Sequence, residues 1–480
     1  MGSALPRDIP GYYWDPEKNR YFREATSHLA TRSDAPWSSD NVKKRKIENA
    51  VVAEKARYQA RNVSRIKRSR ELLQPLMGGF FAREYGGDIR DLRPTVFARG
   101  LVEKGKVVVS LWKRTPLKCV RVGGVKRANG GYHVLSSSHL SESLSISSLE
   151  PDKQTGGFVE LPTTSRILLG ANVSDIKFNS TSTVAFIGLD NYESYHPSGS
   201  LITLRLNNVQ NLAAVPPPNP NPILYVTNRT VDVITICVSP NGTENQCLAG
   251  TDLGLMKLTK TGVFSLITPP PEKNTDVYTN AKSFKNVFGV DYHHTDPNVV
   301  FFGGRPGKLF IGDLRQSPNE WNCIQLPKSI SHVKTVNDNQ VLVTGLQSMM
   351  SVYDTRFCDL ANVNDTYNTS WGPKRHVAGN PVVTMPEYEC YSRFNTGFDL
   401  DRSMGVVATT HDDNTIALYS VRSGRRLPFR SVKTDTTTGT TERVYCIQFE
   451  TLEGERSPTL FVGGKNDLTA YSLDPGKMDI

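Results

Sequence analysis

From Leu101 onward, short apolar segments alternate with segments rich in Gly, Ser and Thr, and helical periodicity stops. The apolar segments are rich in β-branched residues and recur as strand pairs, each followed by one short closing strand. The closing strands are predicted at 141–149, 199–206, 254–259, 307–315, 349–356, 414–422 and 466–473. Seven such units predict an all-β chain that forms a seven-bladed WD-repeat β-propeller, in which ring closure removes exposed sheet edges.

The repeat is clearest from Val299 to Phe357. In each half an apolar strand reaches a glycine, a second strand follows, and that strand ends in Asp-x-Arg. The endings are Asp313-Leu314-Arg315 and Asp354-Thr355-Arg356, and the two arginines lie 41 residues apart. This spacing is one repeat of a WD propeller. Tyr353 and Gly312 occupy the positions where the WD signature carries Trp, so the first copy departs further from the pattern.

Residues 1–96 lack this strand pattern and are predicted to form an N-terminal extension to a propeller of residues 97–480. Within the extension, the triplets Tyr12-Tyr13-Trp14 and Arg20-Tyr21-Phe22, which together contain five aromatic residues, lie on both sides of a turn at Pro16, which predicts a β-hairpin over residues 10–23. The hairpin is interpreted either as a platform for peptides or bases, or as a clip packed on the propeller or on a partner. A basic α-helix is predicted over 40–74.

The net charge of +10 is concentrated in this helix. Residues 41–70 hold eleven Lys or Arg against two Glu, whereas the remaining chain is nearly neutral. The cations form two clusters, which are Lys43, Lys44, Arg45 and Lys46, and then Arg65, Lys67, Arg68 and Arg70. One interpretation is nuclear import or contact with nucleic-acid phosphates, and the other is a solvated helix that contacts an acidic partner. A nuclear location is predicted, with the cytoplasm left open as a second location.

No motif in the sequence predicts catalysis. A nucleophile elbow, a P-loop, a dinucleotide fingerprint and a zinc-protease motif are all missing, so we expect no enzyme, no cofactor and no metal. His293-His294 and His411 stand in turns between strands and are interpreted as fold residues. The seven cysteines are scattered without a close pair, which favours a reducing compartment. Neither a membrane span nor a secretory signal is expected.

Six stretches carry a resemblance to a known family. They are PGYYWDPEKNRYF with the basic helix after it, VSDIKFNSTSTVAFIG, LFIGDLR, SVYDTR, PEYECYSRFNTGFDLDRSMGVVATTHDDNTIALYSVRSGRRL and LFVGGKNDLTAYSL. Together they span nearly the whole chain. In these stretches the chain resembles WD-repeat substrate receptors of cullin-4 RING ubiquitin ligases, closest to the fourth DNA-damage-binding-adaptor-and-cullin-associated factor family.

The resemblance implies a non-catalytic scaffold that docks on the ligase adaptor, and through it on cullin-4, and presents an unidentified protein substrate for ubiquitination. It also implies that Asp313, Arg315, Asp354 and Arg356 contact the adaptor. The segment 419–422 lacks the Asp and is not included. A competing hypothesis is a nuclear ribonucleoprotein scaffold, in which the aromatic hairpin and the basic helix bind RNA. A third is a peptide-binding propeller with no ligase partner.

Overall fold

The computed structural model describes the two strands of an N-terminal hairpin and most of the chain from Asp91 onward. The described residues are 12–15, 20–23, 91–108, 116–126, 131–138, 142–152, 158–190, 201–206, 223–226, 231–240, 245–268, 286–356, 361–362, 381–391, 394, 396–429, 444–464 and 467–473. The chain divides into two compact units, residues 1–87 and residues 88–480. In the part of the chain so described, no helix has the length and apolar character needed to cross a membrane.

In the first unit, β1 (Tyr12–Asp15) and β2 (Arg20–Arg23) form a two-stranded antiparallel sheet. In the backbone register of this sheet, Tyr13 pairs with Phe22 and Trp14 pairs with Tyr21. The predicted basic helix over 40–74 lies outside the described residues.

The second unit begins with helix α1 (Leu92–Gly100) and strand β3 (Leu101–Val108). The remaining strands, with β3, form seven antiparallel sheets, called blades 1 to 7 here, of which six have four strands and one has five. Blade 1 is β4 (Leu117–Lys126), β5 (Tyr132–Ser138), β6 (Ser143–Pro151) and β7 (Phe158–Leu168); blade 2 is β8 (Asn172–Phe178), β9 (Val184–Asp190), β10 (Leu201–Arg205) and β11 (Ile223–Val226). Blade 3 is β12 (Val233–Val238), β13 (Asn245–Thr251), β14 (Leu255–Thr259) and β15 (Phe264–Leu266).

Blades 4 and 5 contain the two Asp-x-Arg endings. Blade 4 is β16 (Asn286–Tyr292), β17 (Val299–Arg305), β18 (Lys308–Asp313) and β19 (Asn322–Gln325), and a 3-10 helix (Pro318–Glu320) precedes β19. Blade 5 is β20 (Ile330–Thr335), β21 (Gln340–Gly345), β22 (Met349–Asp354) and β24 (Val383–Thr384). The intervening β23 (Ala361–Asn362) adds a fifth strand to blade 4.

Blade 6 is β25 (Phe398–Asp401), β26 (Val406–Thr410), β27 (Ile416–Ser420) and β28 (Arg426–Leu427). Blade 7 is β29 (Cys446–Glu450), β30 (Thr459–Gly463), β31 (Asp467–Leu473) and the early strand β3. Pairing of β3 with β31 therefore joins the beginning of this unit to its last blade and closes the ring. The predicted seven-bladed propeller is confirmed. Each predicted closing strand overlaps the third strand of a blade, and a fourth strand lies outside it.

Strands of the ring are buried on both faces because each blade lies between two others. In β17, Val300 and Phe302 pack in a cluster with Leu248 of blade 3. Phe301, which lies between them in sequence, packs instead with Ile330 of blade 5. The alternation of side chains along a strand thus distributes one apolar run between two interfaces. Full burial of each such side chain contributes roughly 1.5–3 kcal/mol to folding.

Helix α1 was not predicted, and the predicted domain boundary between residues 96 and 97 falls inside it. Phe97 is buried against Phe449 of blade 7, with ring centroids 6.2 Å apart. Asp91, just before the helix, accepts a 2.6 Å hydrogen bond from Ser420 Oγ of blade 6. The helix has nine residues, with Pro94 in its first turn. Contacts with the ring therefore hold it, because a helix this short is marginal in isolation.

Candidate functional site

The second Asp-x-Arg ending forms a closed fork. Asp354 is the last residue of β22, and Arg356 donates to its carboxylate through Nε at 3.0 Å and through Nη2 at 2.8 Å. The backbone N–H of Arg356 donates to the same carboxylate at 3.1 Å. These hydrogen bonds hold the pKa of Asp354 below its usual value. The Asp354 side chain is 4% exposed and that of Arg356 is 58% exposed, so a buried carboxylate orients an exposed guanidinium.

The first ending has the same geometry despite its weaker sequence match. Arg315 donates to Asp313 through Nε at 2.8 Å, through Nη2 at 2.7 Å and through its backbone N–H at 2.9 Å. The Arg315 side chain is 59% exposed, and its Nη2 also lies 3.2 Å from Asp296 Oδ2. As in the other fork, hydrogen bonding to the arginine lowers the pKa of the aspartate.

Both forks follow the third strand of a blade, and blades 4 and 5 are neighbours in the ring. The first and third strands of a blade run in the same direction, so they end on one face of the ring. We call this the DxR face, and the face where those strands begin is the far face. The structure thus brings all four predicted adaptor-binding residues to the DxR face of two adjacent blades.

Trp321 explains how blade 4 tolerates Gly312. A Cβ built on Gly312 would lie only 2.8 Å from Trp321 Cδ2, so the indole occupies the space of the missing side chain. The Trp321 side chain is buried and donates from Nε1 to the Asp313 carbonyl at 2.9 Å. In blade 5 the buried Tyr353 fills the corresponding position from the strand itself. The aromatic group of the WD pattern is therefore present in blade 4, supplied from nine residues later in the chain.

The two histidines singled out in the sequence contact other residues of the propeller. His293 Nε2 lies 2.6 Å from the Asp338 carbonyl oxygen and so links blade 4 to blade 5. The buried His411 lies 2.8 Å from Tyr419 Oη, and burial lowers the pKa of this histidine. Among the residues that the structure describes, no group of three or more His, Cys, Asp or Glu side chains is placed to hold a metal ion.

The first strands of the seven blades line a central channel of about 500 Å³. Side chains on these strands bind the backbone of the next blade around the ring. Asp175 accepts from the Ile236 N–H at 2.9 Å, Asp291 from the Thr335 N–H at 2.7 Å, and Asp399 from the Phe449 N–H at 2.9 Å. At the seam between blades 7 and 1, Gln448 accepts from Val122 N–H and donates to its carbonyl. These contacts give the channel polar residues a role in ring closure.

Buried charges in the channel are paired. Lys334 Nζ lies 3.5 Å and Arg121 Nη1 lies 4.0 Å from the carboxylate of Asp399. Burial opposes ionisation of Asp399, but these cations hold its pKa below the usual value. Burial and the charge of Lys334 lower the pKa of His332 to about 3, so this imidazole is neutral at physiological pH.

Four of the six described cysteines are buried, and Cys237 and Cys446 are partly buried against the core. Cys119, Cys237, Cys247, Cys323, Cys390 and Cys446 form no disulfides with one another. Burial raises the pKa of Cys119, Cys237, Cys323 and Cys446 to about 12. A thiolate is the reactive form of cysteine, so these four thiols are poor nucleophiles at neutral pH.

Sequence reasoning missed an aromatic and cationic cluster on the far face. The rings of Phe288 and Phe394 stack with centroids 4.2 Å apart. The Arg305 guanidinium carbon lies over both rings, 4.8 Å from the centroid of Phe394 and 5.8 Å from that of Phe288. The three residues belong to three separate parts of the chain, so no linear motif could have indicated the cluster.

The predicted basic clusters at 43–46 and 65–70 lie outside the described residues. A scan against models of protein families finds no match for this sequence, and a search of curated proteins also finds none.

Proposed function

We propose that this seven-bladed propeller is a non-catalytic substrate receptor that docks by its DxR face on the adaptor of a cullin-4 ubiquitin ligase. The fold fits a protein-interaction scaffold, because a closed ring presents two faces and a rim to partners. The ligase assignment goes further and rests on the resemblance in the stretches quoted above.

The observation that supports the docking surface is the pair of equivalent Asp-Arg forks in adjacent blades. Ordering a free arginine side chain at an interface costs conformational entropy. In each fork an aspartate with a lowered pKa already holds the guanidinium in one orientation at an exposed position. Two guanidinium groups held in this way are preoriented to bind carboxylate or carbonyl oxygens of a partner.

The experiment compares adaptor co-purification with tagged full-length chains. The double variant Arg315→Ala, Arg356→Ala is expected to lose the adaptor and to keep the wild-type melting curve. Arg205→Ala is the matched control, because Arg205 is also an exposed arginine at the end of a third strand, in blade 2, without an Asp two residues before it. Wild-type recovery of the adaptor by the folded double variant would refute the assignment of these residues.

If the wild-type chain itself recovers no adaptor or cullin-4, the ligase function is refuted. The ribonucleoprotein alternative depends on the aromatic hairpin together with the basic helix, and residues 40–74 of that helix lie outside the described residues. That alternative and the nuclear location therefore stay predictions.

A further inference from the structure

Charges in blade 4 are segregated between the two faces of the ring. Over residues 286–328, all of which are described, the acidic residues are Asp291, Asp296, Asp313 and Glu320. All four lie toward the DxR face, near strand ends or in the turns of that face. On the far face the same blade carries Arg305, Lys308 and Lys328 and no acidic residue. The far-face corner of blade 4 is therefore cationic.

The turn between β17 and β18 packs tightly against the segment that follows β19. Leu326 N–H donates to the Gly307 carbonyl at 2.8 Å. Gly307 has φ +100°, and a Cβ there would collide with the carbonyl oxygen of Lys328, so only glycine fits. Arg305 and Lys328 are both exposed at this packed corner. The backbone thus holds two exposed cations on one small surface.

Stacking restricts Arg305 further. Its guanidinium lies over the aromatic pair formed by Phe288 and Phe394, and both rings are half-buried. A guanidinium stacked on aromatic rings keeps its N–H groups at its edge, where they can bind an anionic oxygen. Phe288 and Phe394 also line the far-face end of the central channel, next to Ser331, His332 and Thr396. An exposed guanidinium and an apolar wall therefore lie side by side.

Acidic residues on the far faces of blades 3 and 6 limit the length of an anionic partner. On the far face, blade 3 carries Asp252 between its second and third strands, and blade 6 carries Asp412 and Asp413 at the equivalent turn. Glu387 and Glu389 lie in the segment that leads into blade 6. A long polyanion that extends past blade 4 would meet these carboxylates and be repelled. A short acidic segment with an apolar side chain fits the cationic corner and the aromatic wall together.

We propose that the far-face corner of blade 4 binds a short acidic peptide segment of a partner protein. The oxygens of its carboxylate or phosphate groups pair with Arg305 and Lys328, and an apolar side chain packs on Phe288 and Phe394 at the channel entrance. The identity of the partner rests on the proposed function: the segment belongs to the ubiquitination substrate, which is presented on the face opposite the adaptor. Binding itself can be tested without any ligase component.

The test measures fluorescence anisotropy of labelled peptides with the full chain. The probe is a short peptide with glutamates on both sides of one phenylalanine, and related probes carry phosphoserine or glutamine in place of the glutamates. We expect the acidic probes to bind and the glutamine probe to bind much more weakly. The arms with glutamate and phosphoserine show which anionic group is preferred. A single-stranded RNA oligonucleotide tests the other class of polyanion.

Three variants locate the bound peptide. Arg305→Ala is expected to weaken binding by roughly tenfold, the loss typical of a central interface residue. Phe394→Ala, which leaves the charge unchanged, is also expected to weaken it, because the stacked guanidinium loses its support. Arg305→Lys keeps the charge without the planar stack and should fall between the wild type and Arg305→Ala. The matched control is a fourfold variant with Ala at Lys43, Lys44, Arg45 and Lys46, because this basic cluster also attracts acidic probes.

Four results would overturn the proposal. They are no binding of any acidic probe, equal binding of the glutamine probe, unchanged binding by Arg305→Ala, and preferential binding of RNA that depends on Arg305. The adaptor experiment gives an independent answer. Peptide binding that depends on Arg305 in a chain that recovers no adaptor would support the peptide site and refute the ligase function.

Discussion

Trp321 stands in for a side chain at Gly312, because a Cβ on that glycine would lie 2.8 Å from the indole ring. The indole also donates to the carbonyl of Asp313, the residue that holds Arg315. One buried ring from a later segment therefore supports both the packing of blade 4 and the position of its Asp-Arg fork.

Trp321→Ala is expected to lower the free energy of unfolding by about 3–5 kcal/mol, the usual cost of removing a large buried aromatic side chain. Urea unfolding checks this value. Gly312→Tyr alone should also destabilise the protein, because the new ring would collide with Trp321. Combined with Trp321→Ala, however, Gly312→Tyr should recover part of the lost stability, since Tyr353 fills the same position in blade 5. If the double variant loses as much free energy of unfolding as the two single variants combined, a tyrosine at position 312 does not replace the Trp321 ring.

Asp354→Asn tests the fork through pH. The pKa of Asp354 is depressed in the folded protein by its hydrogen bonds to Arg356. A depressed carboxyl pKa contributes stability that is complete above the unfolded value of about 3.9 and is lost as pH falls through the folded value. The difference in free energy of unfolding between wild type and Asp354→Asn should therefore be constant near neutral pH and shrink below about pH 4.

Urea unfolding at a series of pH values measures that difference. Arg356→Ala added to Asp354→Asn serves as the control, because with the carboxylate gone the arginine should no longer change the pH dependence. A difference that stays constant down to the lowest pH at which the protein folds would show that the fork does not depress the aspartate pKa.

Ionisation of Glu450, at the end of β29, is expected to destabilise the protein, whereas ionisation of Asp354 stabilises it. Burial raises its pKa from 4.5 to about 7, and Gln448 Nε2 donates to its carboxylate at 2.8 Å. Ionising a carboxyl with a raised pKa costs stability, and the cost grows as pH rises from the unfolded to the folded value. Glu450→Gln should therefore match wild type near pH 4 and be more stable at pH 8, by about 3 kcal/mol. Equal stability at both pH values would contradict the shift.

Ring closure by β3 can be tested with two shortened chains. A chain that begins at Asp88 keeps helix α1 and the pairing of Leu101–Val108 with β31, and we expect a cooperative melt and a single monomeric species. A chain that begins at residue 109 loses this outer strand and leaves the edge of β31 unpaired. Unpaired edge strands promote aggregation, so size-exclusion chromatography should show aggregates or an unfolded chain. Identical behaviour of the two chains would show that closure does not depend on β3.

The sequence by itself determined the number of blades and the position of each third strand. These features depend on local alternation of apolar and polar residues and on turn residues, which a linear pattern records directly. The Asp-x-Arg endings were also readable, because the aspartate and arginine of each fork are only two residues apart. The basic charge of residues 41–70 could be counted but not given a structural role.

Tertiary structure decided which distant residues share a site. Strand β3 completes blade 7, Trp321 replaces a side chain at Gly312, and Phe394 stacks on Phe288 across two blade boundaries. The far-face charge of blade 4 likewise emerges only when alternate turns of one blade are assigned to opposite faces of the ring. None of these relationships has a fixed spacing in the chain, because closing a ring joins segments by their packing and strand pairing, irrespective of their separation in sequence.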